Sequence, residues 1–210
     1  MQMPSSSDLY AQYGCGFCAP DDWLNFDSSP TLRFERLPVI GRLYTKNKER
    51  FPANARYGDI VRGLGLPNGS CRGLYSSHML DYLTLADART ALANSRKLLA
   101  PGGIFRLVVE DCTRFMKDYL ADPSPDAAGR FMTETGWGRR HRGMGALVKE
   151  HFGHPHRLWM WDFPSLEREL TAAGFQSIRR AQFGDCEDRR FASVESEGRW
   201  NGAIGVECRS

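Results

Sequence analysis

No run of 18 consecutive apolar residues occurs in this sequence, so nothing in it reads as a membrane-spanning helix. The first residues carry neither a basic head nor an apolar stretch, which predicts no signal peptide. Charge of one sign is also scarce. The formal net charge is only +3, where a protein built to coat nucleic acid would present a strongly basic face. A second Cys-x-x-C is missing as well. Of the six cysteines (Cys15, Cys18, Cys71, Cys112, Cys186 and Cys208) only Cys15 and Cys18 share that spacing. A structural zinc site wants two such pairs. A redox pair wants its motif to open a helix, and Pro20-Asp21-Asp22-Trp23 follows instead. No metal is expected, and reduced thiols in the cytoplasm are the default. Internal repeats and low-complexity segments are absent too.

What is present fits one domain, residues 1–210. A chain of this length buries about 70% of its unfolded surface, and 41% hydrophobic with 25% charged residues is ordinary for a globular protein. Leu9 to Tyr13 predicts a strand ending at Gly14-Cys15-Gly16. Trp23 to Asp27 alternates apolar and polar and predicts a second, stopped by Ser28-Ser29-Pro30. Pro38 and Gly41 interrupt any long helix over Thr31 to Tyr44. Ala55 to Gly58 leads a third strand into Asp59, and Gly73 to Ser76 is a fourth. Leu85 to Leu99 places its apolar residues on one helical face, with Thr84 as cap and Pro101-Gly102-Gly103 as stop. Ile104 to Val109 is continuously apolar except for Arg106, as a buried parallel strand is. Phe115 to Leu120 and Gly145 to Phe152 read as short helices. Pro164 to Ala173 is a clear one, capped by Asp162 and ended by Gly174. Ser177 to Phe183 and Ala203 to Cys208 read as a closing pair of strands. Residues 112–162 read as an irregular lid or acceptor insertion containing the basic cluster Arg139, Arg140, His141 and Arg142.

Chemistry gathers at the strand ends. In order these are Gly14 and Gly16, Asp27, Asp59, Ser76 to His78, then Glu110 and Asp111. In a right-handed doubly wound sheet all fall on the carboxyl edge, where open α/β sheets bind ligands. Glycine lets a ligand approach backbone. A carboxylate after the second strand can accept from a ribose diol, at about 1.5–3 kcal/mol per charged hydrogen bond. Asp59 can accept from an adenine amino group, with Ile60 beside it. A dinucleotide needs G-x-G-x-x-G opening a helix. Here the third glycine is missing, and only Phe17 to Asp22 separate the loop from the second strand. No helix N-terminus is left to hold a pyrophosphate. An adenosyl ligand without phosphate tolerates that loss.

These segments also carry a family likeness. Tyr13-Gly14-Cys15-Gly16 runs directly into Trp23-Leu24-Asn25-Phe26-Asp27. Gly58-Asp59, Ser76-Ser77-His78-Met79-Leu80-Asp81-Tyr82, Leu99 to Gly103, Trp159 to Asp162 and Ala173-Gly174-Phe175 then follow in order. The chain thereby resembles the type 11 branch of class I S-adenosylmethionine-dependent methyltransferases, from about Leu9 to Cys208. The resemblance implies a Rossmann-like α/β fold, with a mostly parallel seven-stranded sheet and an antiparallel C-terminal strand. The helix between the first and second strands is expected to be missing. It implies S-adenosyl-L-methionine as cofactor, bound by Gly14, Gly16, Asp27, Asp59, Ile60, Ser77 and His78. It also implies methyl transfer to a small molecule or saccharide, while the small net charge and the lack of a long apolar run argue against a nucleic acid or membrane partner. Three departures stand out: Tyr13 before the glycine loop, Asp81-Tyr82 for Glu-His, and Glu110 for a proline. The last two motivate an alternative, a non-catalytic partner subunit that binds the cofactor or nothing.

Each candidate has a plainer structural role beside the chemical one. Asp27 is a ribose ligand or a loop-capping acid, and Asp59 an adenine contact or a turn cap. Ser77 and His78 line the methionine end or merely pack. Met79 and Leu80 are walls near adenine or core. His78, Asp111 and His156 are the candidate catalytic groups. Asp111 faces the acceptor, and His156 serves as base or, like His151 and His154, is a solvated loop histidine. Trp137, Trp159 and Trp161 form an acceptor wall or cover the sheet.

Overall fold

The computed structural model describes residues 9–38, 41, 49–136 and 157–210. Seven strands form one sheet: β1 Leu9–Tyr13, β2 Leu24–Asp27, β3 Ala55–Tyr57, β4 Cys71–Ser77, β5 Leu99–Glu110, β6 Gln176–Ala181 and β7 Ala203–Arg209. Their order is β3-β2-β1-β4-β5-β7-β6. β1 to β5 are mutually parallel, while β7 runs antiparallel to both β5 and β6. The helices are α1 Pro30–Glu35, α2 Leu85–Leu98, α3 Cys112–Ala121, α4 Ala127–Thr135, α5 Phe163–Ala172 and α6 Glu197–Trp200.

β5 shows why the sheet is buried on both faces. Phe105, Leu107 and Val109 join Leu92 and Leu98 of α2 and Leu166 and Leu170 of α5 in the larger core. Ile104 and Val108 point the other way, toward Tyr10, Tyr75, Phe191 and Trp200. A strand covered on both sides must be apolar throughout, and Arg106 is the exception. It lies fully buried on the second face, bonded to Asp185, Glu195 and Glu207. That face is covered mainly by irregular chain, residues 182–202 between β6 and β7, rather than by long helices.

Capping follows the sequence. Thr84 Oγ1 accepts from Asp87 N (3.1 Å) at the start of α2. Asp162 and Ser165 form a reciprocal capping box on α5. Ser29 caps α1, with Pro30 in its first turn. Pro101-Gly102-Gly103 departs from expectation: α2 ends at Leu98 and β5 starts at once. The β4–β5 register breaks between Cys71↔Leu99 and Gly73↔Ile104, so the chain bulges there, with Gly102 at φ 73°.

β1 and β2 are parallel neighbours joined with no helix between them, as the spacing predicts. Parallel strands normally need a helical crossover to satisfy the connecting backbone. Two buried amides do this work here. Gln12 Nε2 donates to Cys18 O (2.8 Å) and to Asn25 Oδ1 (2.6 Å). Asn25 Nδ2 donates to Pro20 O and Trp23 O, both at 2.9 Å. The short loop is thus bonded from beneath by the strands it joins.

Candidate functional site

The five parallel strands finish side by side, and main-chain bonds tie their ends together. Gly58 N–H donates to Asp27 O (3.1 Å), Cys15 N–H to Phe26 O (3.0 Å), and His78 N–H to Val108 O (2.8 Å). The sheet order therefore places Asp59, Asp27, the Gly14–Gly16 loop, His78 and Glu110 in sequence along one edge. A cavity of about 1010 Å³ opens elsewhere, at the starts of β4 and β5, lined by Arg72, Gly102, Gly103 and Arg190 among others. It does not include the strand-end carboxylates.

Gly14 and Gly16 both have positive φ, 71° and 55°, which glycine adopts without strain. A β-carbon on Gly14 would stand 3.0 Å from Met79 Cγ, so Met79 covers the loop, whereas Leu80 is core. Asp27 holds the loop closed. Its Oδ2 accepts from Gly16 N (2.9 Å) and its Oδ1 from Ser29 N (2.7 Å). A carboxylate offers about four lone-pair sites, so each oxygen keeps one for a further donor. Asp59 caps the turn after β3: Oδ1 accepts from Val61 N (3.0 Å), and Arg62 Nε lies 3.5 Å from Oδ2. Ile60 beside it is fully buried.

Beyond β4 the backbone is strained. His78 sits at φ 51°, an uncommon conformation for a non-glycine residue. Its Nε2 lies 2.7 Å from Arg199 O. A carbonyl only accepts, so Nε2 carries the proton and, in the neutral ring, Nδ1 keeps a free lone pair. Nδ1 faces two carboxylates, Asp81 Oδ2 at 3.8 Å and Glu110 Oε1 at 3.7 Å, and makes no hydrogen bond. Glu110 is bonded to Arg157 and lies 3.6 Å from Arg114. Asp111 caps α3 through Thr113 N (2.8 Å). Trp161 is wholly buried in the core and Trp159 partly exposed against it. His151, His154, His156, Trp137, the basic cluster 139–142 and the helix expected over 145–152 lie outside the described residues. Within 112–162, the described part contains the helices α3 and α4, joined by Tyr119 against Phe131.

The sequence marks Glu110 as a strand-end group and Asp81 as a motif departure, but gives neither a partner and does not single out Arg157 or Arg199. Only tertiary structure unites them: His78 and Arg199 are 121 positions apart, Glu110 and Arg157 are 47. Asp81 is fully buried. Burial, and secondarily the charge of Glu110, pushes its carboxyl up to about 7, against the influence of Arg157. The unfolded chain releases this proton near the ordinary aspartate value of 3.8. The folded state thus binds more protons between these values, and stability falls as pH rises through that window. Asp81→Asn removes the penalty while keeping an oxygen for the Glu110 N–H. At about 1.36 kcal/mol per pH unit, the variant is expected to be more stable than the parent by at least ~1 kcal/mol at about pH 8. The advantage should vanish near pH 4. Urea melts at the two pH values check this, and an advantage independent of pH would contradict it.

Among the described residues, no group of three or more His, Cys, Asp or Glu side chains is placed to hold a metal. Among the same residues, no helix is long and apolar enough to cross a membrane. All six cysteines are free, and burial holds the Cys15 thiol up at about 12.

No protein-family model and no curated protein matches the sequence. Solved structures do. The chain is similar to an S-adenosylmethionine-dependent methyltransferase from Thermotoga maritima, described as a possible histamine N-methyltransferase. The TM-score is 0.52 at 15% identity, covering 99% of this chain and 83% of that one. A possible exported protein from Bordetella parapertussis gives 0.51 at 14% identity, covering 96% of this chain and 61% of that one. The CurJ carbon methyltransferase gives 0.49 at 14% identity, and this chain spans half its length. What is shared at such identities is the fold, a Rossmann-like α/β arrangement with an antiparallel C-terminal strand.

Proposed function

We propose that this chain is an S-adenosylmethionine-dependent methyltransferase acting on a small molecule or saccharide, in the manner of the type 11 branch it resembles. The observation that carries the reading is the row of groups along one sheet edge. Two carboxylates that follow the adjacent strands β2 and β3 stand to one side of a glycine loop with positive φ, and that loop runs into β2 with no helix between them. The donor and acceptor set fits the cofactor. Asp27 retains a lone pair on each oxygen for a ribose diol, and Asp59 stands one strand further for an adenine amino group. Ser77 Oγ is buried at the methionine end, facing the Tyr75 hydroxyl.

When bound, the cofactor supplies an electrophilic methyl group on sulfur. The chain's task is alignment, which for well-oriented groups contributes about 7–11 kcal/mol. An oxygen acceptor also needs a base, worth about 10²–10⁴-fold. His78 is assigned that role as the strand-end histidine, its buried Nδ1 lying unbonded beside Asp81 and Glu110. Asp111, with one carboxylate oxygen capping α3, is assigned to the acceptor, and His156, outside the described residues, keeps the role of base that the sequence suggests.

Titration calorimetry with S-adenosylhomocysteine and with NADH tests the proposal. Saturable binding of the first and none of the second is expected. The reverse would replace the methyltransferase reading with a dinucleotide one.

A further inference from the structure

Resting on that cofactor reading, we infer that Arg199 is an anchor for the cofactor's carboxylate, supplied across the sheet edge by the β6–β7 connection. Its guanidinium stands over the glycine loop: a β-carbon on Gly16 would lie 3.5 Å from Arg199 Nη2. Its charge reaches Cys15 on one side and the Tyr75 hydroxyl on the other. Among the described residues, no carboxylate pairs with it and no hydrogen bond engages its side chain. Of the other long cations near this edge, Arg157 and Arg114 are tied to Glu110, and Arg62 lies against Asp59.

The mount is fixed rather than flexible. Arg199 O accepts the His78 ring proton. The next residue, Trp200, is buried so closely against β7 that a β-carbon on Gly205 would stand 2.1 Å from its ring. The Arg106 guanidinium stacks 5.0 Å from the same ring. A partly buried arginine on a rigid base holds its geometry without losing much side-chain entropy on binding.

The surroundings point to an anionic partner. The Tyr75 and Ser77 hydroxyls and the Trp200 indole N–H are buried together here, with the Tyr75 hydroxyl facing the other two. With the Arg199 fork they form a donor-rich patch, and a guanidinium matches a carboxylate in two parallel bonds. The amino-acid end of S-adenosylmethionine carries one carboxylate and no other anionic group.

Calorimetry with two probes tests the assignment: S-adenosylhomocysteine and its decarboxylated form, which keeps the amine. The parent protein should prefer the first at least tenfold. Arg199→Met should lose at least tenfold in affinity for the first and little for the second, and Arg199→Lys should recover part of the loss. Glu197→Gln, on the same short helix, should change neither. Equal loss for both probes in Arg199→Met would make Arg199 a structural residue and overturn the inference, as would unchanged discrimination. A parent that binds both probes equally would overturn it and leave the cofactor reading standing. A parent that binds neither would remove both.

Discussion

Arg106→Leu is expected to destabilise the protein by about 3–5 kcal/mol, the cost of removing one partner from a buried ion pair. Arg106 is wholly buried, and its guanidinium is bonded to Glu195 (2.7 Å), Glu207 (2.7 Å) and Asp185 (2.9 Å), with Gln182 O as a fourth acceptor. Two of those carboxylates are almost as buried as the arginine. Leucine fills much of the volume but leaves Glu195 with only the Gly184 N–H, and Glu207 with only the partly exposed Arg179, in an apolar surround. The loss should appear as a drop in the urea midpoint. Because residues 182–202 cover the second face through these contacts, tryptophan fluorescence from Trp200 should shift as well. A midpoint within about 0.5 kcal/mol of the parent would mean that the network contributes nothing net, as many exposed pairs do. Acid acts on the same cluster. Asp185 is partly buried, and Arg179, the Gln182 N–H and Arg106 together hold its carboxyl down at about 2. Stability that depends on its charge is complete above the ordinary aspartate value and is lost as pH falls from about 4 toward 2.

Asp27→Ala is expected to weaken S-adenosylhomocysteine binding at least tenfold. Two charge-assisted bonds to a ribose diol contribute about 1.5–3 kcal/mol each. The substitution also frees the Gly16 and Ser29 amides, which Asp27 now holds. Both effects act on the glycine loop, so affinity should fall more than stability. Measuring the melting temperature and the Kd of the same sample separates them. Unchanged affinity would leave Asp27 as a loop cap alone.

Much of the sheet was legible because local signals and burial agree. β1 has the bounds expected from its apolar run, and α2 and α5 begin at the threonine and aspartate caps read from the sequence. The missing crossover helix was legible from spacing, but its replacement was not. That Asn25 is a loop-binding amide paired with Gln12 depends on β1 and β2 lying side by side. Arg106 stood out as the one charge in an apolar strand, yet its three partners come from positions 79 to 101 residues away. The edge row of Asp27, Asp59 and His78 was legible from strand ends in chain order. The partners of His78 were not, since a 3.7 Å approach to Glu110 and a bond to Arg199 O arise only when β4, β5 and the β6–β7 connection meet.

The central claim is that an adenosyl group binds at the carboxyl edge, between the glycine loop and the acids that follow β2 and β3. A crystal structure of the protein soaked with S-adenosylhomocysteine tests it most directly. The account predicts the ribose diol on Asp27 and the adenine beside Asp59. A nucleoside seated elsewhere, for instance in the cavity between Arg72 and Arg190 at the opposite edge, would contradict it.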